Sequence, residues 1–120
     1  MGLINGCEIQ NKTDCEGLDL SSQNLQGASL QEAKLSETNL SGANLKYANL
    51  SGADLSTANL SSADLTQANI AMTNFTGADL SGANLKGSFQ GGTQFKNAEL
   101  SGAIWKDGKV CATGSVGKCN

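Results

Sequence analysis

From Leu20 to Leu85 a large apolar residue stands at every fifth position, through Leu40, Leu60, Ile70, Phe75 and Leu80, and after one fault the series resumes at Phe95, Leu100 and Trp105. A helix repeats at about 3.6 residues and a strand at about 2, so neither gives this period. A chain that turns a corner after each group of five does. Two residues before each large position, here called the centre, stands a small residue, as at Ala43, Ala53, Ala63 and Ala83. Residues two apart on an extended segment share a face, so the centre and its small partner both point inward. Asn and Asp dominate the slot between them and Ser, Thr, Lys and Gln the slot after the centre, which sets both toward solvent. The last slot is often glycine, as at Gly42, Gly52 and Gly82, a residue that adopts the dihedrals of a corner cheaply. Four such sides close a square coil of about twenty residues, with coils about 4.8 Å apart, the spacing of hydrogen-bonded strands.

The unit A-(D/N)-L-(S/T)-x, as in the run SGANL, KYANL, SGADL and STANL, resembles that of the pentapeptide-repeat proteins. The resemblance covers residues 18–106 and implies an all-β fold, a right-handed quadrilateral β-helix of about 4–5 coils with about twenty residues in each. It divides the chain into an N-terminal cap (1–17), the repeat helix (18–106) and a C-terminal disulfide cap (107–120). The segment from Trp105 to Cys119 is similar to the W-x-D-G-x-x-C-x-x-G-S-x-G-x-C ending of many bacterial members. Exported and lumenal members carry a cap helix tied by a disulfide, which implies a short helix or turn within residues 2–11. Disorder is disfavoured by the steady supply of buriable residues, and a helical repeat by the abundance of Asn, Ser, Thr and Gly.

Cys7 and Cys15 precede the repeat and Cys111 and Cys119 follow it. A rod of coils holds the two pairs at opposite ends, so disulfides 7–15 and 111–119 are the bridges within reach. A zinc site and free thiols compete with this reading, although the seven-residue spacing is wide for zinc. Two disulfides imply an oxidising compartment, periplasmic or thylakoid-lumenal, with export by a leader since removed and cytoplasmic residence less favoured.

Residues twenty apart stack in a square coil. The first side then carries a ladder of Ser21, Ser41, Ser61, Ser81 and Ser101, and the second is basic through Lys46, Lys86 and Lys106. Inside, Phe75 is expected under Phe95 and Thr73 under Thr93, with Trp105 a plug over the last coil. The fault lies at Gly87-Ser88-Phe89-Gln90-Gly91-Gly92-Thr93, where strict register puts Gln90 on a centre and Phe89 outside. Either a bulge shifts Phe89 into the core, with Gly91 and Gly92 absorbing the extra residue, or Phe89 stays out. In the second case it joins Tyr47, Ala71 and Met72 as an apolar patch on the third side, of the kind that marks a partner or a second copy.

Charge and composition narrow the function. The chain has 120 residues and a net charge of −3, no histidine and no arginine. The acidic balance disfavours direct nucleic-acid binding, and no apolar run reaches the length of a membrane span. Without histidine there is no Ser-His or Cys-His pair. Asp19, Asp54, Asp64, Asp79 and Glu99 occupy solvated slots, so no catalytic, cofactor or metal residue is expected. The expectation is a non-catalytic rod that presents fixed faces to an unidentified protein partner, as a monomer or weak homodimer, with no small-molecule substrate. The alternative is mimicry of DNA toward an enzyme such as gyrase. The resemblance raises it, yet the members that do so are longer and more acidic.

Overall fold

The computed structural model describes residues 1–120 and contains no helix. Parallel bridges join residues twenty apart on all four sides: Asn39 to Asn59 on the first, Asn44 to Asp64 on the second, Asn49 to Asn69 on the third and Asp54 to Asn74 on the fourth. The chain therefore coils as a square, and its extents are 37 × 24 × 22 Å.

Three devices hold each five-residue unit. Inward packing comes first: every centre from Leu20 to Leu85 is fully buried, and so are the alanines of the small slot. Each such side chain contributes roughly 1.5–3 kcal/mol on burial. The second device is the ladder between coils. The centre N–H donates to the coil that follows, as from Leu40 to Asn59 O at 2.7 Å, and the N–H two residues on does the same, as from Gly42 to Ser61 O at 2.9 Å.

The third device is the corner. Ala43 N–H donates to Leu40 O at 3.1 Å, and between them Gly42 has φ 65° while Ser41 stays in the ordinary region. That is a type II turn. The left-handed conformation recurs at the same slot in every unit, and in ten of these corners a residue other than glycine takes the positive φ, among them Tyr47, Thr57 and Met72. Glycine at this slot is thus favoured and not required. Each Asn or Asp before the centre accepts from the backbone two residues on, as Asn39 Oδ1 does from Ser41 N–H at 3.0 Å and from the Ser41 hydroxyl at 2.8 Å. The polar slots point to solvent, as their pattern implies, and they also brace the corner as Asx turns.

Phe75 and Phe95 stack with centroids 5.6 Å apart and planes 7° apart, one coil above the other. Thr73 and Thr93 likewise repeat one motif: their hydroxyls donate to Leu50 O at 2.8 Å and Ile70 O at 2.7 Å. A threonine thus enters the small slot without leaving a buried hydroxyl unpaired. Trp105 is half-buried and packs on Phe95, with centroids 5.0 Å apart.

Of the short helix or turn expected within residues 2–11, the N-terminal segment forms the turn and no helix. It is a hairpin of β1 (Gly2–Ile4) and β2 (Cys7–Ile9), antiparallel, with Ile4 opposite Cys7. The turn is Asn5-Gly6 with φ 48° and 84°. Asn-Gly between apolar residues is the strongest short hairpin signal because both central positions need positive φ. Cys7 and Cys15 form one disulfide and Cys111 and Cys119 the other, with no free cysteine left. Both pairings agree with the sequence reading. At the far end the chain turns back antiparallel, Val116 opposite Glu99 and Val110 opposite Ile104.

Candidate functional site

In a solenoid whose outward slots are polar and locally hydrogen-bonded, an outward apolar side chain stands apart. Between residues 18 and 106 three large ones are exposed: Tyr47 (55%), Met72 (65%) and Phe89 (67%). All belong to the third side or its edges. Tyr47 takes the corner that opens this side, Met72 the corner that closes it, and Phe89 the slot before its last centre.

Phe89 settles the fault. The backbone keeps strict register, Asn69 bridging to Phe89, with Phe89 N–H donating to Ala68 O at 3.0 Å and Phe89 O accepting from Ile70 N–H at 3.0 Å. There is no bulge, and the reading that buries Phe89 is overturned. Ser88 takes the small slot and is buried, while Gln90 stands half-buried on the centre and donates from Nε2 to Ser88 Oγ at 3.0 Å. The ladder of the coil beneath dictates the pairing, and a polar residue on the centre is tolerated because its amide finds a partner. The difference from other units is local: Phe89 offers no side-chain acceptor, so the Gly91 N–H lacks the Asx bond that Ala71 N–H receives from Asn69 Oδ1 at 3.1 Å.

The four residues of the expected patch share a side but do not form one contiguous cluster. Asn49 and Asn69 stack beneath Phe89 and separate the two corners that carry Tyr47 and Met72. Ala71 is half-buried. It lines, with Met72, an open depression of about 610 Å³ that runs back over Ser51, Gly52, Gln31 and Glu32. The depression follows from an alternation along the corner column, Glu32, Gly52, Met72, Gly92. Each larger side chain leans over the glycine one coil on: a methyl group at Gly52 would lie 3.2 Å from Glu32 Cγ, and one at Gly92 would collide with Met72 Sδ. Met72 is thereby laid along the surface, which the outward periodicity alone does not reveal. A glycine forty residues from another in the same column, Gly52 and Gly92, is the signal that could have found it.

Charge divides along the rod. Residues 1–64 hold eight carboxylates (Glu8, Asp14, Glu16, Asp19, Glu32, Glu37, Asp54, Asp64) and three lysines (Lys12, Lys34, Lys46), a net −5. Residues 65–120 hold Asp79, Glu99 and Asp107 against Lys86, Lys96, Lys106, Lys109 and Lys118, a net +2. The two ion pairs, Lys12 with Glu32 at 3.9 Å and Lys46 with Asp64 at 3.8 Å, lie in the acidic half. Exposed pairs of this length add little stability. The five lysines of the other half have no carboxylate within 4.0 Å.

For catalysis the arrangement offers little. Asp79 and Glu99 stack one coil apart, as their spacing predicts, and each accepts a serine hydroxyl, Ser81 and Ser101, both at 2.6 Å. Asp19 accepts the Ser21 hydroxyl at 2.7 Å and the Ser21 N–H at 3.0 Å, which hold its carboxyl below the usual carboxylate range. These bonds serve the corners. The structure brings together no group of three residues able to hold a metal ion, and no helix is long and apolar enough to cross a membrane.

Comparison with known proteins agrees with this geometry. The family of pentapeptide repeats matches in eight copies, over residues 24–61, 58–89 and 73–104. The crystal structure of the pentapeptide repeat protein Rfr23 from the cyanobacterium Cyanothece 51142 superposes with a TM-score of 0.76 at 33% identity, over 77% of this chain and 63% of that one. The chain thus spans less than two thirds of that relative's length. A pentapeptide repeat protein from the Arabidopsis thaliana thylakoid lumen is 37% identical over 78% of this chain and 69% of its own, with a TM-score of 0.44. HetL, involved in heterocyst differentiation regulation in Nostoc, is 36% identical over 83% and 51%, also at 0.44. No curated protein sequence matches significantly. The repeat, the twenty-residue register, the family match and the likeness to Rfr23 together show that the chain belongs to the pentapeptide-repeat family, whose members form right-handed β-helices.

Proposed function

We propose that the protein is a non-catalytic interaction module, a rigid rod that presents its third side to a protein partner, with residues 1–17 and 107–120 acting as caps. The observation that carries this reading is the exposure of Tyr47, Met72 and Phe89 on one side, where every other outward slot of the repeat holds a small or polar residue or the half-buried Ile104. Their gathering on one side of an otherwise polar rod, and not the exposure of any one of them, supports a docking face. Ala71 and the depression beside Met72 give a partner side chain a place to enter.

Two disulfides on a small scaffold suit an oxidising compartment, and export to a periplasm or thylakoid lumen fits them. Mimicry of a DNA rod is disfavoured by the cationic half, because a mimic needs negative charge along its whole length.

The test is affinity capture from the native compartment with the disulfide-bonded protein and with a Tyr47→Ala/Met72→Glu/Phe89→Ser variant of unchanged circular dichroism. A partner retained by the native protein and lost with the variant is the expected result. Identical partner sets, or none with either protein, would refute the assignment.

A further inference from the structure

The solenoid closes unequally at its C-terminal end. On the first side Leu100 and Gly102 N–H groups donate to Ser115 O at 2.8 Å and Cys111 O at 3.0 Å, and Gly117 N–H donates to Ala98 O at 2.9 Å. On the second, Cys111 N–H reaches Ala103 O at 2.8 Å and Trp105 N–H reaches Lys109 O at 2.7 Å. The third and fourth sides receive no such cover. One coil earlier, Ile70, Met72, Phe75 and Gly77 donate to the coil above, and the carbonyls of Ala68 and Thr73 accept from it. Their counterparts, the N–H groups of Gln90, Gly92, Phe95 and Asn97 and the carbonyls of Ser88 and Thr93, make no backbone or side-chain hydrogen bond within the chain. The core is open there too: Gln90 and Phe95 are half-buried, whereas every centre beneath them is fully buried. This is a sheet edge of ten residues, Ser88 to Asn97, that turns one corner and has an apolar floor only partly covered by Trp105.

Around it stands the unpaired positive charge. Lys96 lies within the edge, Lys106 and Lys109 come from the segment that closes the second side, and none has a carboxylate partner. We propose that the Ser88–Asn97 edge receives an extended acidic segment of a partner protein, which adds a further strand to the solenoid. The segment's carbonyls accept from Gln90, Gly92, Phe95 and Asn97 N–H, and its own N–H groups donate to Ser88 and Thr93 O. An inward apolar side chain settles beside Phe95 and Trp105, on the part of the core they leave half-buried. Its outward carboxylates face the lysines. Main-chain bonds supply affinity and alternate side chains supply selectivity, as in other strand additions. A second copy joined end to end would bring two cationic halves together, so charge disfavours it. This edge is the upper rim of the third side: it shares Phe89 with the patch, and its Gly92 lies against Met72.

A fluorescent decapeptide alternating glutamate and valine, with one central phenylalanine, is the probe, titrated by anisotropy against the disulfide-bonded protein. Saturable binding is expected, with at least a tenfold loss when the glutamates are replaced by lysines and a similar loss when alternate peptide nitrogens are methylated. Gln90→Ala loses the side-chain bond to Ser88 Oγ and keeps the free N–H, whereas Gln90→Pro loses both, so Gln90→Pro should bind several-fold more weakly than Gln90→Ala at a similar melting temperature. The amide signals of Gln90, Gly92, Phe95 and Asn97 should exchange more slowly with the acidic peptide bound. Equal binding by the methylated or the lysine peptide, or no saturable binding, would overturn the proposal. So would loss of binding in Tyr47→Ala, two coils below the edge, which would move the peptide to the third-side patch, or a dimer in light scattering whose edge amides are already protected.

Discussion

The middle of the solenoid, Leu40 to Leu85, and its last coil, Ser88 to Trp105, follow one register by different means. In the middle, a buried centre, a small partner, an Asx-braced corner and a ladder on both sides all agree. In the last coil Phe89 replaces the Asx residue, Gln90 replaces an apolar centre, and half of the outer ladder is absent. Register survives nonetheless. The coil beneath supplies a full set of backbone donors and acceptors, and a slipped strand would leave those buried groups unpaired. A repeat protein can therefore place divergent residues in a terminal coil without losing its fold.

Breaking the middle should have the largest effect. Leu60→Ala removes a fully buried side chain walled in on both sides and should cost about 2–5 kcal/mol, whereas Gln90→Ala should cost far less; urea denaturation of both variants makes the comparison. Removing the disulfide 111–119 with paired serines should lower stability by roughly 2–3 kcal/mol on the chain-entropy model. The same measurement checks it, and the loss should come with faster amide exchange at Leu100 and Gly102, whose cover it ties down.

Smaller effects probe the corners. Gly92→Ala and Gly102→Ala both put a side chain at positive φ, with a strain of about 1–2 kcal/mol. Gly92→Ala should cost more because its methyl meets Met72, and Met72→Ala should remove the excess in a double-mutant cycle. Asn59→Ala deletes the acceptor for the Ser61 N–H and hydroxyl and should cost about 0.5–1.5 kcal/mol. Phe89→Asn, which restores an acceptor for Gly91 N–H, should gain a similar or smaller amount and so bring the last coil closer to the middle.

The smallest effect concerns acid. Asp19 is held below the usual carboxylate range by hydrogen bonds from Ser21. A depressed folded-state value means stability that is present above the unfolded value and lost as pH falls through the folded one. Asp19→Asn should therefore lower stability slightly at neutral pH and flatten the acid limb of a thermal-stability curve, the two proteins converging as pH falls. An acid limb identical in the two proteins would remove Asp19 from that account.

Much of this was legible in advance because a period of five constrains every slot at once. The stacking of Phe75 on Phe95 and the pairing of Asp79 with Glu99 follow from counting by twenty along the chain, and the two disulfides from the rod that holds the cysteine pairs at opposite ends. The hairpin at Asn5-Gly6 carried a local signal that the resemblance to helix-capped relatives outweighed. The candidate patch was legible as outward apolar residues, yet its spread over three coils was not. Outwardness is a property of one slot, whereas contiguity depends on the residues stacked between.

The sequence alone determined the square coil, its inward and outward slots and the places where apolar residues face solvent, because each is set by spacing along the chain. Only the tertiary structure decided that Phe89 stays out without a bulge, that Met72 lies over Gly92, and that the last coil is covered on two sides and open on the other two. Those outcomes depend on what the neighbouring coil offers to each backbone group and side chain, and that neighbour stands twenty residues away.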